Sequence, residues 1–287
     1  MELRSRTSRL RALLARPGAV LMPCCFDALS ARLVELAGFE LTFMSGFGVS
    51  AARIGAPDTG LISYGEMLDQ GRNVCAAVEL PVIGDADTGY GNALNVQRTV
   101  RGYAQAGFAG VMIEDQIAPK RCGHTEGKQV VDRGEAVMRI RAAVEARDAG
   151  ADIVIVARTD ARATHGLDEA LWRAQAFADL GADVVFVEAL LDRDEMWKAC
   201  RAVNRPLLAN MLEGGKTPVL APAELEAIGF KLVAYPLTLL SSAIAAMRDA
   251  LLALSEGRTP ERMLEFAELR RVLGFDEYDE RARRLGG

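Results

Sequence analysis

The stretch Gly110-Val-Met-Ile-Glu-Asp-Gln-Ile-Ala-Pro-Lys-Arg-Cys-Gly-His-Thr-Glu-Gly-Lys128 decides how the chain is read. Its first four residues form the short apolar run of a strand buried on both faces, and Glu114 and Asp115 follow at that strand's C-terminal end. Beyond them a loop gathers Lys120, Arg121, Cys122, Gly123, His124 and Lys128. Folds that alternate parallel strands with helices keep their chemistry at the C-terminal ends of the strands, so this loop marks a candidate active site.

Working outward, seven further apolar runs of the same kind occur: Ala19–Met22, Leu41–Met44, Pro81–Gly84, Ile153–Ala157, Val184–Val187, Pro206–Ala209 and Leu232–Tyr235. Segments such as Asn95–Ala106, Gly134–Arg147 and Leu167–Leu180 lie between them with apolar residues three and four apart, the spacing of amphipathic helices. Gly38, Gly107, Gly150 and Gly181 stand where a left-handed helix cap leads into the next strand. Eight strands predict a closed α/β (β/α)₈ barrel of the TIM type, and a doubly wound open sheet is the alternative with the same alternation. Leu3–Leu14, ending at Pro17-Gly18, predicts a covering helix, while Leu239–Leu254 and Glu261–Leu273 predict helices after the last strand. The expected organisation is one domain: covering helix 1–18, barrel 19–256 and a C-terminal helical extension 257–287 of the kind that contacts other subunits.

A length of 287 residues suits one such barrel, for which about 250 is typical. The net charge of -5, with both signs interspersed, offers no broad basic surface for nucleic acid. No membrane span is expected, since no apolar run approaches the roughly 20 residues one requires. Met1-Glu-Leu-Arg-Ser-Arg6 lacks the basic-then-apolar layout of a secretion signal. Five cysteines, with none in C-x-x-C spacing, fit reduced thiols in a cytoplasm.

In a barrel, the residues after each strand share one face. Ser45-Gly46-Phe47-Gly48 presents backbone N–H groups able to hold a carboxylate, and Asp85 and Asp87 follow the third strand. Glu114 and Asp115 follow the fourth, Arg158 and Asp160 the fifth, Glu188 the sixth and Asn210 the seventh. Such residues often serve only as caps and turns. Several acids converging on one point repel unless a cation sits among them, however, and oxygen ligands without a histidine cluster favour Mg²⁺ or Mn²⁺. Cys122 differs from Cys24, Cys25, Cys75 and Cys200 in having Lys120, Arg121 and His124 as neighbours, which favour a thiol that exchanges its proton.

The motifs Phe26-Asp-Ala-Leu-Ser-Ala-Arg32, Ser45-Gly46, Pro57-Asp58, Asp85-Ala-Asp-Thr-Gly-Tyr-Gly-Asn92, Glu114-Asp-Gln116, Lys120-Arg-Cys-Gly-His124, Ala157-Arg-Thr-Asp160 and Asn210-Met-Leu-Glu-Gly-Gly-Lys-Thr-Pro218 occur in the order found in one family. Over nearly its whole length the chain resembles the isocitrate lyase and phosphoenolpyruvate mutase superfamily. It is most similar to the branch of 2-methylisocitrate lyases, 2,3-dimethylmalate lyases and carboxyphosphonoenolpyruvate mutases. The resemblance implies Mg²⁺ held by Asp85, Asp87 and Glu114, partly through water, and a homotetramer of dimers that exchange the eighth helix. It implies that Ser45, Gly46 and Phe47 contact the carboxylate of a di- or tricarboxylate and that Arg158 neutralises the developing oxo group. Gly123, His124 and Asn210 join the substrate site, Lys120, Arg121, His124, Asp58 and Glu188 the catalytic set, and Cys122 is the proton donor. The implied reaction is carbon–carbon cleavage of a 2-alkylmalate or 2-methylisocitrate to release pyruvate. The alternatives are a phosphonomutase, an oxaloacetate decarboxylase and an inactive dicarboxylate-binding barrel.

Two departures bear on this reading. Isocitrate and methylisocitrate lyases carry a tyrosine where this chain has Phe43, which leaves Asp58, Lys120 or metal-bound water as the base for the alcohol. Glu213-Gly214-Gly215 resembles the dimethylmalate lyase and mutase branch instead of the methylisocitrate lyases.

Overall fold

The computed structural model describes residues 5–123 and 127–286. Eight parallel strands close into a barrel in sequence order, which decides against the open sheet: β1 (Val20–Cys25), β2 (Thr42–Met44), β3 (Val82–Asp85), β4 (Gly110–Glu114), β5 (Val154–Thr159), β6 (Val184–Val187), β7 (Leu207–Asn210) and β8 (Leu232–Tyr235). Because side chains alternate along a strand, every second residue faces the axis. Met22, Cys24, Phe43, Ile83, Met112, Val156, Phe186, Leu208, Leu232 and Ala234 fill the interior in this way, and Leu10 and Leu13 of the N-terminal helix Arg6–Ala15 belong to the same cluster. Truncating the fully buried Leu10 to Ala therefore costs about 2–5 kcal/mol, the usual range for a buried leucine. A second, larger layer fills the space between the strands and the surrounding helices.

Gly38, Gly107, Gly150 and Gly181 adopt φ of 82°, 97°, 112° and 101°, the left-handed turn expected of them. Five strands run one to three residues further than their apolar runs. They end on Cys25, Asp85, Glu114, Thr159 and Asn210, because polar side chains at the mouth still pair as strand.

Residues up to Leu239 form one compact unit and Leu240–Gly287 a second. The second contains the helices Phe266–Leu273 and Phe275–Arg284, joined at the left-handed Gly274. The helix expected over Glu261–Leu273 starts only at Phe266, and the last helix escaped the sequence reading because its polar residues outnumber its apolar ones. The helix Thr238–Ser255, at 18 residues and a mean hydropathy of 1.3, is long and apolar enough to cross a membrane. This corrects the expectation that no run approaches such a length. Arg248 and Asp249 interrupt its apolar sequence, and Met247, Leu251, Leu252 and Leu254 are exposed on it.

Candidate active site

Strand alternation also builds the site. Two residues beyond the interior-filling Ile83, Met112, Val156, Phe186 and Leu208 come Asp85, Glu114, Arg158, Glu188 and Asn210, all at the C-terminal mouth. Register sets Glu114 beside Arg158 on adjacent strands. A cavity of about 80 Å³ lies here, lined by Ser45, Phe47, Asp58, Asp85, Lys120, Arg121, Cys122, Gly123, Arg158, Glu188 and Asn210 among others. Gly46, Asp87 and Glu114 are buried immediately behind this lining. The expected residues thus converge, with His124 lying outside the described residues.

Lys120 stands among the acids. Its Nζ is 2.7 Å from each Asp58 carboxylate oxygen and 2.9 Å from Asp87 Oδ1, with all three side chains nearly excluded from solvent. Burial alone would depress this ammonium, but Asp87, Asp85, Asp58 and Glu114 together hold it well above the usual lysine range. It is therefore a fixed cation and not a base. Burial, aided by Asp85 and Asp58, pushes the Asp87 carboxyl up to about 6 against the pull of Lys120. Burial likewise raises Glu114 well above its ordinary range despite Arg158 and Lys120. Asp87 adopts φ 48°, a left-handed conformation that Asp tolerates better than most residues. Its N–H donates to Asp85 Oδ1 at 3.1 Å, and Gly46 N–H donates to Asp85 Oδ2 at 3.1 Å. Gly46 is required here, since a Cβ would fall 2.7 Å from that oxygen.

Arg158 joins three acids. Asp160 accepts from its Nε at 2.8 Å and its Nη2 at 3.0 Å, while Glu114 and Glu188 each lie 3.3 Å from the guanidinium. Asp160 is in turn held by Lys128 at 2.9 Å, and its N–H donates to Asp115 Oδ1 at 2.8 Å. Burial works against ionisation of Asp160, but Arg158 and Lys128 outweigh it and keep the carboxyl below its usual range.

The loop after β4 is folded over the mouth. At its base Ile117 N–H donates to Gln129 O and Val131 N–H to Asp115 O, both at 2.9 Å. The Gln116 amide holds the backbone of Arg121 at both N–H and C=O. Ser45 caps the helix Gly46–Ile54, accepting from Gly48 N–H at 3.3 Å, so the residues expected to present backbone N–H groups begin a helix whose N-terminus faces the site.

The sequence reading placed Lys128 on the loop and Asp160 after the fifth strand without giving either a role; both enter the site through their side-chain bonds. The cavity's apolar wall, built from Cys24, Phe43, Phe186, Leu208, Leu212, Ala234, Pro236 and Leu237, gave no signal because its residues look like ordinary core.

Buried carboxylates, a lysine, an arginine and a loop cysteine around one cavity at the C-terminal mouth define an α/β-barrel enzyme. The family profile described as phosphoenolpyruvate phosphomutase matches residues 10–255, and the chain belongs to that family, within the isocitrate lyase and phosphoenolpyruvate mutase superfamily of lyases and mutases. It is 41% identical over 277 residues to a 2,3-dimethylmalate lyase of Eubacterium barkeri, covering 95% of this chain and 96% of that one. It is 43% identical to the chloroplastic carboxyvinyl-carboxyphosphonate phosphorylmutase of Arabidopsis thaliana, covering 95% and 83%. A structure of oxaloacetate acetylhydrolase with the inhibitor 3,3-difluorooxalacetate is 36% identical with a TM-score of 0.95, covering 99% of this chain and 98% of that chain.

Proposed function

We propose that the chain is a divalent-metal-dependent carbon–carbon lyase that cleaves a 2-hydroxy-2-methyl dicarboxylate of the 2-alkylmalate type to pyruvate and a second carboxylic acid. The two-sided cavity carries this reading. Its charged side chains come from the β2–β3 connection, as Asp58, and from the ends of β3 to β6 and the loop after β4, whereas β7, β8 and β1 contribute Leu208, Leu212, Ala234, Pro236, Leu237 and Cys24, with Asn210 as the polar residue on that side. A dicarboxylate with alkyl substituents at its far end matches that division. A third carboxylate, as in 2-methylisocitrate, would meet a mostly apolar wall whose amide, Asn210, already donates to Glu188 Oε2, and Pro236 lacks a backbone N–H.

The residues present fit a cation. Glu114 Oε1 is buried with no hydrogen-bond donor, and Asp58 Oδ1 and Asp87 Oδ1 face Lys120 without a directed hydrogen bond. Among the described residues no three such side chains close directly on one point, in keeping with ligation partly through water. Asp85, Asp87 and Glu114 would hold Mg²⁺ or Mn²⁺, which supplies positive charge to an α-hydroxy carboxylate. The N-terminus of the helix at Ser45, Gly46 and Phe47 favours that carboxylate, and Arg158 offsets charge on the developing oxo group. Phe43 cannot exchange a proton and Lys120 is held as an ammonium, which leaves Asp58 and metal-bound water; Asp58 lines the cavity, and we assign it the hydroxyl proton. The C2–C3 bond then breaks with its electron pair on C3, and the Cys122 thiol delivers a proton there. The loop carrying Lys120, Arg121, Cys122 and Gly123 lines the cavity and keeps water from this carbanionic carbon.

The same proposal takes the chain as one barrel domain with a helical extension, located in the cytoplasm and assembled as a homotetramer of helix-exchanged dimers. The exposed Phe266, Leu269, Leu273, Phe275 and Tyr278 support the assembly. The test is to screen 2-alkylmalates, methylisocitrate, isocitrate and oxaloacetate, with Mg²⁺ and with chelator, for pyruvate or glyoxylate. Metal-dependent pyruvate from a 2-alkylmalate is expected. Rearrangement of a phosphonate with no cleavage of any hydroxy acid would support the mutase instead.

A further inference from the structure

Lys128 has no part in the chemistry above, yet its side chain is only 3% exposed. Its ammonium donates to the Gly123 carbonyl and to Asp160 Oδ1. Gly123 in turn lies directly on the Arg158–Glu188 pair, since a Cβ there would fall 2.4 Å from Arg158 Nη2 and 2.5 Å from Glu188 Oε2. One side chain therefore grips both the residue after Cys122 and the carboxylate that orients Arg158.

Burying an ammonium is expensive, and a loop lysine has open solvent as an alternative. Asp160 does not require it, because Arg158 already donates to both its oxygens. The loop base does not require it either, being fastened by the backbone bonds of Ile117 and Val131 and by the Gln116 amide. What Lys128 supplies is a charged link between the loop tip and the Asp160–Arg158 pair. We propose that Lys128 is a positioning residue that clamps the Cys122–Gly123 tip onto that pair, so that the thiol and the guanidinium are brought into register together. The catalytic consequence rests on the lyase reading, while the clamp itself rests only on geometry.

Full-length wild type, Lys128→Met, Lys128→Gln and Lys128→Arg test it. The rate at which N-ethylmaleimide modifies Cys122 is followed by mass spectrometry of the peptide containing it, beside thermal unfolding and the steady-state constants for the best substrate. Lys128→Met removes the clamp and leaves the base of the loop intact. Cys122 modification should then accelerate about tenfold, as loss of a charge-assisted hydrogen bond allows, with kcat falling more than KM rises and the unfolding midpoint little changed. Lys128→Arg, which keeps charge and donors, should restore both rates to within a few fold. Lys128→Gln, which keeps a donor without charge, should fall between and decides the matter if the Met variant does not fold. Cys122 modification within about twofold of wild type in every folded variant would overturn the clamp, since a tenfold change is what the lost bond predicts. So would a lowered unfolding midpoint with no change in Cys122 rate, the signature of a purely structural lysine. If wild type cleaves no hydroxy dicarboxylate, the lyase reading fails and the modification rates still decide the clamp.

Discussion

Gly123→Ala offers a demanding check on the closed site. The added methyl carbon would lie 2.4 Å from Arg158 Nη2, 2.5 Å from Glu188 Oε2 and 2.8 Å from Glu188 Cδ. Ordinary contact begins near 3.4 Å, so the loop tip or the Arg158–Glu188 pair must move by about 1 Å. Displacement of that size typically costs about 10²-fold in rate, which is about 2.7 kcal/mol of transition-state stabilisation. The strain falls on the mouth and spares the core, so the unfolding midpoint should stay close to wild type. The assay is pyruvate release from the best 2-alkylmalate by coupled NADH oxidation. Gly65→Ala is a control, because its nearest neighbour is Ser63 Oγ at 3.9 Å and its helix Tyr64–Ala77 favours alanine over glycine. A Gly123→Ala enzyme within about threefold of wild type in kcat/KM would refute the closed geometry, because a 1 Å shift at reacting groups costs more.

Asp85→Ala should abolish both activity and metal dependence while leaving the fold intact, since Asp85 sits at the strand end and accepts from the N–H groups of Gly46 and Asp87; tight Mn²⁺ binding by this variant, measured by electron paramagnetic resonance, would contradict it. Burial pushes the Cys25, Cys75 and Cys200 thiols up to about 12, so they stay protonated at pH 8, and limited maleimide treatment should label Cys122 before any of them. Hydrogen bonds from Arg133 and Arg173 lower Glu169 to about 2. A depressed carboxyl stabilises the fold above its unfolded value near 4.3 and loses that contribution as pH falls towards 2. The difference in urea midpoint between wild type and Glu169→Gln should therefore be full at pH 6 and shrink below about pH 4.5; a constant difference would exclude the pairing.

The barrel was legible because eight apolar runs separated by helical spacing leave few other topologies. Strand ends were less so: Asp85, Glu114 and Arg158 interrupt the apolar pattern, yet each remains on its strand, because a barrel mouth tolerates charge where the interior below does not. The same interruption made the candidate site residues conspicuous. Lys120 was expected in the catalytic set, but that its ammonium stands among the acids depends on how the loop folds back over Asp58 and Asp87. Lys128 and the apolar wall were illegible for opposite reasons. A loop lysine looks like a solvated charge, and Leu208 or Phe186 looks like core, until the fold shows the first turned inward and the second lining a cavity.

The role of Cys122 is where the lyase parts from its rivals. A lyase must protonate C3 of the departing fragment, and serine is a far weaker acid than a thiol of ordinary pKa near 8.5, so Cys122→Ser should lose roughly 10²–10⁴-fold in cleavage. Decarboxylation of oxaloacetate leaves an enolate that water can protonate, so the same substitution should affect it much less. The measurement is pyruvate release by wild type and Cys122→Ser from the best 2-alkylmalate and from oxaloacetate, with Mg²⁺ present. A large loss on the alkylmalate with oxaloacetate nearly unaffected is the predicted result. Loss of no more than a few fold on both substrates would contradict the proton-donor role and with it the carbon–carbon lyase.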